Sequence, residues 1–172
     1  RLALFRLGQQ PVDRLGSRIH TDFIPHATLD DLRDGLAGGG YHIVHFDGHG
    51  SFDVLGGSLL FEDGSRHTHH VTAAQMAEAL EDSGVRLVVL AACQGSTVGS
   101  YGMFQSVAPA LIRAGIPAVV ANQFEINVDA QTALSREFYA SICRGESISA
   151  AVADGRRAIA PYRGHFFLPT LY

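Results

Sequence analysis

Two residues carry the chemistry open to this sequence. One is His49, in Asp47-Gly48-His49-Gly50; the other is Cys93, which follows the apolar run VRLVVLAA at 85–92. A thiol and an imidazole are the minimum for thiol nucleophilic catalysis. The imidazole accepts or balances the thiol proton, and the thiolate attacks a carbonyl carbon. Such dyads allow the two residues to lie far apart in sequence. Gly48 and Gly50 let the backbone approach a substrate closely. The backbone N–H groups of Gly50 and Cys93 are candidates to face a developing oxyanion, and such donors are each worth about 10²–10³ in rate.

Other reactive side chains read differently. Cys143 sits beside Ile142 in a helical stretch and suits the core. Cys93 taken alone would also suit a small buried hydrophobe at a strand end; the histidine motif turns the reading toward catalysis. His45 precedes His49 by four residues and is expected to pack or hydrogen-bond near the site in a supporting role. His67, His69 and His70 form an HTHH cluster. Imidazoles bind zinc, but no cysteine lies close, and a solvated loop is the preferred reading. His42 and His45, three apart on a strand, face opposite ways and do not share an ion. Ser96 lacks an elbow motif. Asp47-Gly48-His49-Gly50 lacks both the G-x-G-x-x-G pattern and a lysine, which argues against nucleotide binding. No cofactor and no metal are expected.

The elements that must position these residues can be read in order. Residues 1–18 are ambiguous between a short strand and a helical turn. Residues 19–24 predict a strand closed by Pro25. Thr28 is the expected N-cap of a helix with Asp30 and Asp31 in its first turn and Gly38, Gly39 and Gly40 at its end. Residues 41–46 predict a strand that enters a turn at 47–50. Residues 58–62 are a shorter apolar piece before a turn at Asp63-Gly64. A helix follows Thr72, with Met76, Ala79 and Leu80 on one face. Residues 85–92 are apolar throughout, as a strand buried on both faces requires. A helix over 104–114 leads into another buried strand at 118–124. Helices follow at 129–143 and 147–160, and 166–172 predicts a last strand, held to an edge by Pro169. Alternating strands and helices with apolar central strands imply an α/β fold: a mostly parallel sheet with helices on both faces. In such sheets ligands bind beyond the carboxyl ends of the strands, where both His49 and Cys93 fall.

Composition narrows the classes. The chain has 172 residues, 47% hydrophobic and 17% charged, which suits one ordered domain. A net charge of -4 without a basic run argues against a nucleic-acid partner. No apolar run is long enough to span a membrane. Two cysteines make no disulfide framework, so a reducing, cytoplasmic setting is expected. All 13 Lys+Arg residues are arginine, which excludes Schiff-base and P-loop lysine chemistry. Beginning at Arg1, the sequence reads as a piece of a longer protein.

At this point the sequence resembles a family. HFDGHG at 45–50 and VVLAACQGS at 88–96 are similar to the histidine and cysteine motifs of the caspase-like (clan CD) cysteine peptidases. The match is to the CHAT branch, bacterial caspase-like domains often fused to TPR repeats. ATLDDL at 27–32, LLFEDG at 59–64, VTAAQMAEAL at 71–80, the stretch 124–159 and FFLPTLY at 166–172 resemble that branch in the same order. The resemblance covers roughly residues 19–172 and implies a three-layer caspase-like fold. It implies peptide-bond hydrolysis of a protein or peptide substrate, with Cys93 as nucleophile, His49 as catalytic histidine and Gly50 as an oxyanion donor. Other domains of the same chain, TPR repeats among them, or a regulatory partner are implied too. Two features depart from the family: residues 1–18 show no convincing first strand, and the closing segment has phenylalanines at 166 and 167 in place of a tryptophan. A catalytically silent binding or scaffold domain stands as an alternative, as does a thiol acyltransferase or isopeptidase.

For the substrate pocket, carboxylates suit a basic side chain and arginines an acidic one. Glu125 and Asp129 follow the strand at 118–124, and Asp47 and Asp53 lie near His49. No arginine is close to Cys93 or to residues 121–130. The balance leans to cleavage after a basic residue, with Asp129 or Glu125 as the pocket acid. Asp129 as a helix cap is the open alternative.

Overall fold

A computed structural model describes residues 2–8, 19–24, 28–53, 56–92, 103–124, 126–162 and 164–172 of the chain. In chain order the elements are β1 (Leu2–Gly8), β2 (Ile19–Ile24), α1 (Leu29–Ala37), β3 (Ile43–Asp53), β4 (Gly56–Glu62), β5 (Thr68–Thr72), α2 (Ala73–Leu80), β6 (Leu87–Ala92), α3 (Met103–Arg113), β7 (Val119–Asn122), α4 (Val128–Cys143), α5 (Ile148–Ala158) and β8 (Pro169–Leu171). Six strands lie side by side in the order β2-β1-β3-β6-β7-β8. The first five of these run parallel, and β8 closes the edge antiparallel to β7. β4 and β5 branch from the far half of β3 as an antiparallel wing.

The apolar run of β6 is explained by two layers of helix. Val88 and Leu90 pack with Leu32, Met76 and Leu111 from α1, α2 and α3. Leu87 and Val89 point the other way and pack with Phe138, Tyr139 and Val152 from α4 and α5. A strand covered on both faces has no polar side to show. The result is the three-layer α/β arrangement expected from the sequence. The helices start where local chemistry says they should. Thr28 and Asp31 form a reciprocal capping box, as do Thr72 and Gln75. Asn127 and Ser147 cap α4 and α5.

Four expectations change. Residues 47–50 are not a turn: β3 runs unbroken from Ile43 to Asp53. The strand changes partners instead. It pairs in parallel with β6 as far as Gly48 and antiparallel with β4 from His49 onward. Gly48 serves a close approach rather than a bend, since a Cβ there would meet the Phe46 ring at 2.8 Å. That ring is stacked on Phe61 at 5.2 Å. Secondly, His69 and His70 lie in β5, not in a loop; pairing with β4 overrides the polar look of the segment. Thirdly, the place of the missing first strand is taken by β1, hydrogen-bonded between β2 and β3. The closing strand is shorter than expected, and Phe166 and Phe167 precede it, exposed. Pro169 occupies its first position, at the sheet edge, where a missing N–H is tolerated.

Candidate functional site

The site is built at the carboxyl end of the parallel sheet, where β3 leaves β6. Asp47 lies opposite Ala91 and Gly48 opposite Ala92. The next residue, His49, already pairs with Leu60 of β4, and Gly50 pairs with Leu59. His49 is exposed, Gly50 buried and Asp47 half-buried. Asp47 and His49, two apart on a strand, share one face. Three of the expected site residues are thus brought into one stretch. Cys93 and Glu125 lie outside the described residues, so their expected roles have no geometry to be compared with. Asp129 is on a different element, exposed in the first turn of α4. The cap of that helix is Asn127, whose Oδ1 accepts the Ala130 N–H at 2.7 Å. The alternative of Asp129 as the cap is therefore not realised; its carboxylate stands near the positive helix end.

His45 is on the same face as His49 but in another environment. It is 1% exposed, and its Nδ1 lies 2.6 Å from the Tyr139 hydroxyl of α4. The supporting place expected for it is thus a buried tie between β3 and α4.

Two polar clusters near the site carry no sequence signal strong enough to announce them. The first is at the end of β7. Asn122 Nδ2 donates to Gln131 Oε1 at 2.7 Å, and Gln131 Nε2 donates to Ser135 Oγ at 3.0 Å. All three side chains are buried. With Val89, Val120 and Tyr139, among others, they line a small pocket between the sheet and α4. The four-residue spacing of Gln131 and Ser135 on the buried face of α4 is the one hint available beforehand. The second cluster joins the wing. Ser51 Oγ, Ser58 Oγ and His70 Nδ1 lie within 2.8, 2.9 and 3.1 Å of one another.

The turn between β4 and β5 is tied by Asp63. The His67 and Ser65 backbone N–H groups donate to it and hold its carboxyl below the usual range. At the other end of the sheet, burial and then the Asp22 carboxylate push the Tyr41 hydroxyl up to about 12. No helix among the described residues is long and apolar enough to cross a membrane.

Comparison with known proteins places this geometry. The structure is similar to the Arg-specific cysteine proteinase gingipain R, with a TM-score of 0.67 and 16% identity, covering 99% of this chain and 45% of that one. A complex of the pro- and mature domains of the Porphyromonas gingivalis enzyme matches with a TM-score of 0.62, 16% identity and cover of 99% and 46%. Separase in the Saccharomyces cerevisiae separase–securin complex matches with a TM-score of 0.59, 13% identity and cover of 100% and 12%. The chain spans less than half the length of these proteins, and they share its caspase-like fold. No curated protein matches the sequence significantly. Residues 5–165 match the CHAT domain. The chain belongs to the CHAT domain family.

Proposed function

We propose that the domain is a cysteine peptidase that hydrolyses peptide bonds with Cys93 as nucleophile and His49 as acid–base. The observation that carries this reading is the register of β3 and β6. Gly48 lies opposite Ala92 on adjacent parallel strands, and the residues that follow them in the chain are His49 and Cys93. His49 takes the Sγ proton, and the thiolate adds to the scissile carbonyl carbon. The negative oxygen of the tetrahedral intermediate is held by the N–H groups of Gly50 and Cys93. The intermediate collapses to a thioester as His49 gives its proton to the leaving amine. Water, deprotonated by His49, then attacks the thioester, releasing a carboxylic acid and restoring the thiol. No step needs a metal or cofactor.

For specificity, the acids Asp47, Glu125 and Asp129 favour a basic side chain before the scissile bond. Gingipain R, an Arg-specific cysteine proteinase, points the same way. The test is a profile of peptides cleaved by this domain, with Cys93→Ala as control. Cleavage after arginine or lysine, abolished in Cys93→Ala, is the expected result. Full turnover by Cys93→Ala would overturn the mechanism. Transfer of the acyl group to an added amine instead of water would recast the enzyme as a transferase.

A further inference from the structure

The wing of β3, β4 and β5 presents two unlike faces. Leu59, Phe61 and Val71 are buried in the core from one side. The strand pairings put His49, Leu60 and His70 in one row on the other side, and Ser51, Ser58 and Thr72 in the next. On that outer face the ring of His70 leans diagonally into the serine row. Its Nδ1 is 2.9 Å from Ser51 Oγ and 3.1 Å from Ser58 Oγ, and the two hydroxyl oxygens are 2.8 Å apart. One contact each from β3, β4 and β5 closes a triangle that no turn or helix cap requires.

We propose that His70 is a positioning residue for His49, acting through Ser51 and Ser58. This rests on the reading of His49 as the catalytic imidazole. Ser51 is two residues beyond His49 on the same strand and the same face. His49 stands where β3 exchanges a parallel partner for an antiparallel one. Beyond that point the strand no longer rests on the parallel sheet, and its twist is set by the wing. A side-chain link across all three wing strands, one row past His49 on the same face, fixes that twist and with it the direction in which the imidazole projects. Two hydroxyl protons serve the triangle when Nδ1 accepts: one serine donates to the other, which donates to Nδ1. When Nδ1 carries a proton, the chain runs the other way. The link therefore holds in both states of His70. A displacement of about 1 Å at a reacting group is enough to cost up to roughly 100-fold in rate.

The test compares His70→Phe, His70→Asn and Ser51→Ala with the unmodified domain. The first readout is kcat and KM on a cleaved peptide. The second is the NMR titration of the His49 ring in a Cys93→Ala background, which needs no turnover. His70→Phe should lower kcat about tenfold with KM within about twofold, and shift the His49 titration. His70→Asn, which keeps a short polar atom near the serines, should restore both to within about threefold. Ser51→Ala should reproduce the loss and add nothing to His70→Phe. If His70→Phe does not fold, the half-buried Ser51→Ala carries the test alone. An unchanged His49 titration in Ser51→Ala and His70→Phe would overturn the proposal. A domain that cleaves nothing would overturn the peptidase reading instead, while the titration would still report whether His70 positions His49.

Discussion

β3 holds two histidines on one face, four residues apart, and they live in different solvents. His45, in the half that pairs with β1 and β6, is 1% exposed and tied to Tyr139. His49, in the half that pairs with β4, is exposed. The same residue type, on the same strand, is a buried structural tie in one place and, in the other, the exposed imidazole to which the proposed mechanism gives the chemistry. What separates them is cover. Among the described residues, the inner half lies under α4 and α5, whereas the buried residues of the wing join the cluster of α1, α2 and α3 on the opposite face. Availability to a substrate is therefore decided by the layer above the sheet, not by the strand itself.

The largest effect should come from exchanging the two roles. His49→Ala should leave stability within about 0.5 kcal/mol, as for an exposed site. It should also reduce peptide turnover by about 10²–10⁴, the worth of a positioned acid–base. His45→Ala should do the reverse. It opens space beneath α4 and removes one partner of the buried Tyr139 hydroxyl, which together cost about 2–4 kcal/mol. Urea midpoints and kcat for both variants check this. Equal losses of stability would break the comparison.

Gly48 marks the border between the halves. A methyl group there would run into the Phe46 ring at 2.8 Å, and that ring is buried and stacked on Phe61. Gly48→Ala should cost about 1–3 kcal/mol through this clash. Phe46→Leu, in the same chain, should recover part of it. Additive losses in a urea double-mutant cycle would show that the ring is not the obstacle.

At this border local sequence chemistry and tertiary pairing disagree. Two glycines around a histidine have the local chemistry of a turn. The strand continues because β4 replaces β6 as partner, and that exchange is set by cross-strand neighbours such as Leu60 opposite His49, not by the residues beside it in sequence. The same cause hid β1, whose short apolar run is a strand only between β2 and β3, and β5, whose histidines are polar but paired. Elements governed by local rules were legible nearly to the residue. β2 matched its expected span, α1 and α2 started at their capping threonines, and β6 showed its burial on both faces. His49, Gly50 and Asp47 could be placed at the carboxyl edge of the sheet from their types and motif, though in a turn rather than on the strand that carries them. The Ser51, Ser58 and His70 triangle could not, because cross-strand neighbours leave no periodic mark.

The smallest effect tests the cover itself. α4 is fastened to α5 by Asp154, which accepts from Ser141 at 2.7 Å and from Arg144 at 3.1 Å and pairs with Arg157. The Ser141 hydroxyl first, then the Arg157 and Arg144 guanidiniums, hold the Asp154 carboxyl below its ordinary value of 3.8. A lowered carboxyl stabilises the fold while it is ionised. Its contribution is complete above the unfolded value and is lost as pH falls through the lower folded one. Asp154→Asn should therefore lower Tm slightly at pH 7, and the difference from the unmodified domain should shrink as the pH falls below about 4. High salt should narrow the difference at pH 7, because the arginine partners are exposed. In the same variant the His49 ring should titrate as before, since the buried residues of the wing pack in the cluster of α1, α2 and α3. A shift of His49 would mean that the two halves of β3 share one cover after all.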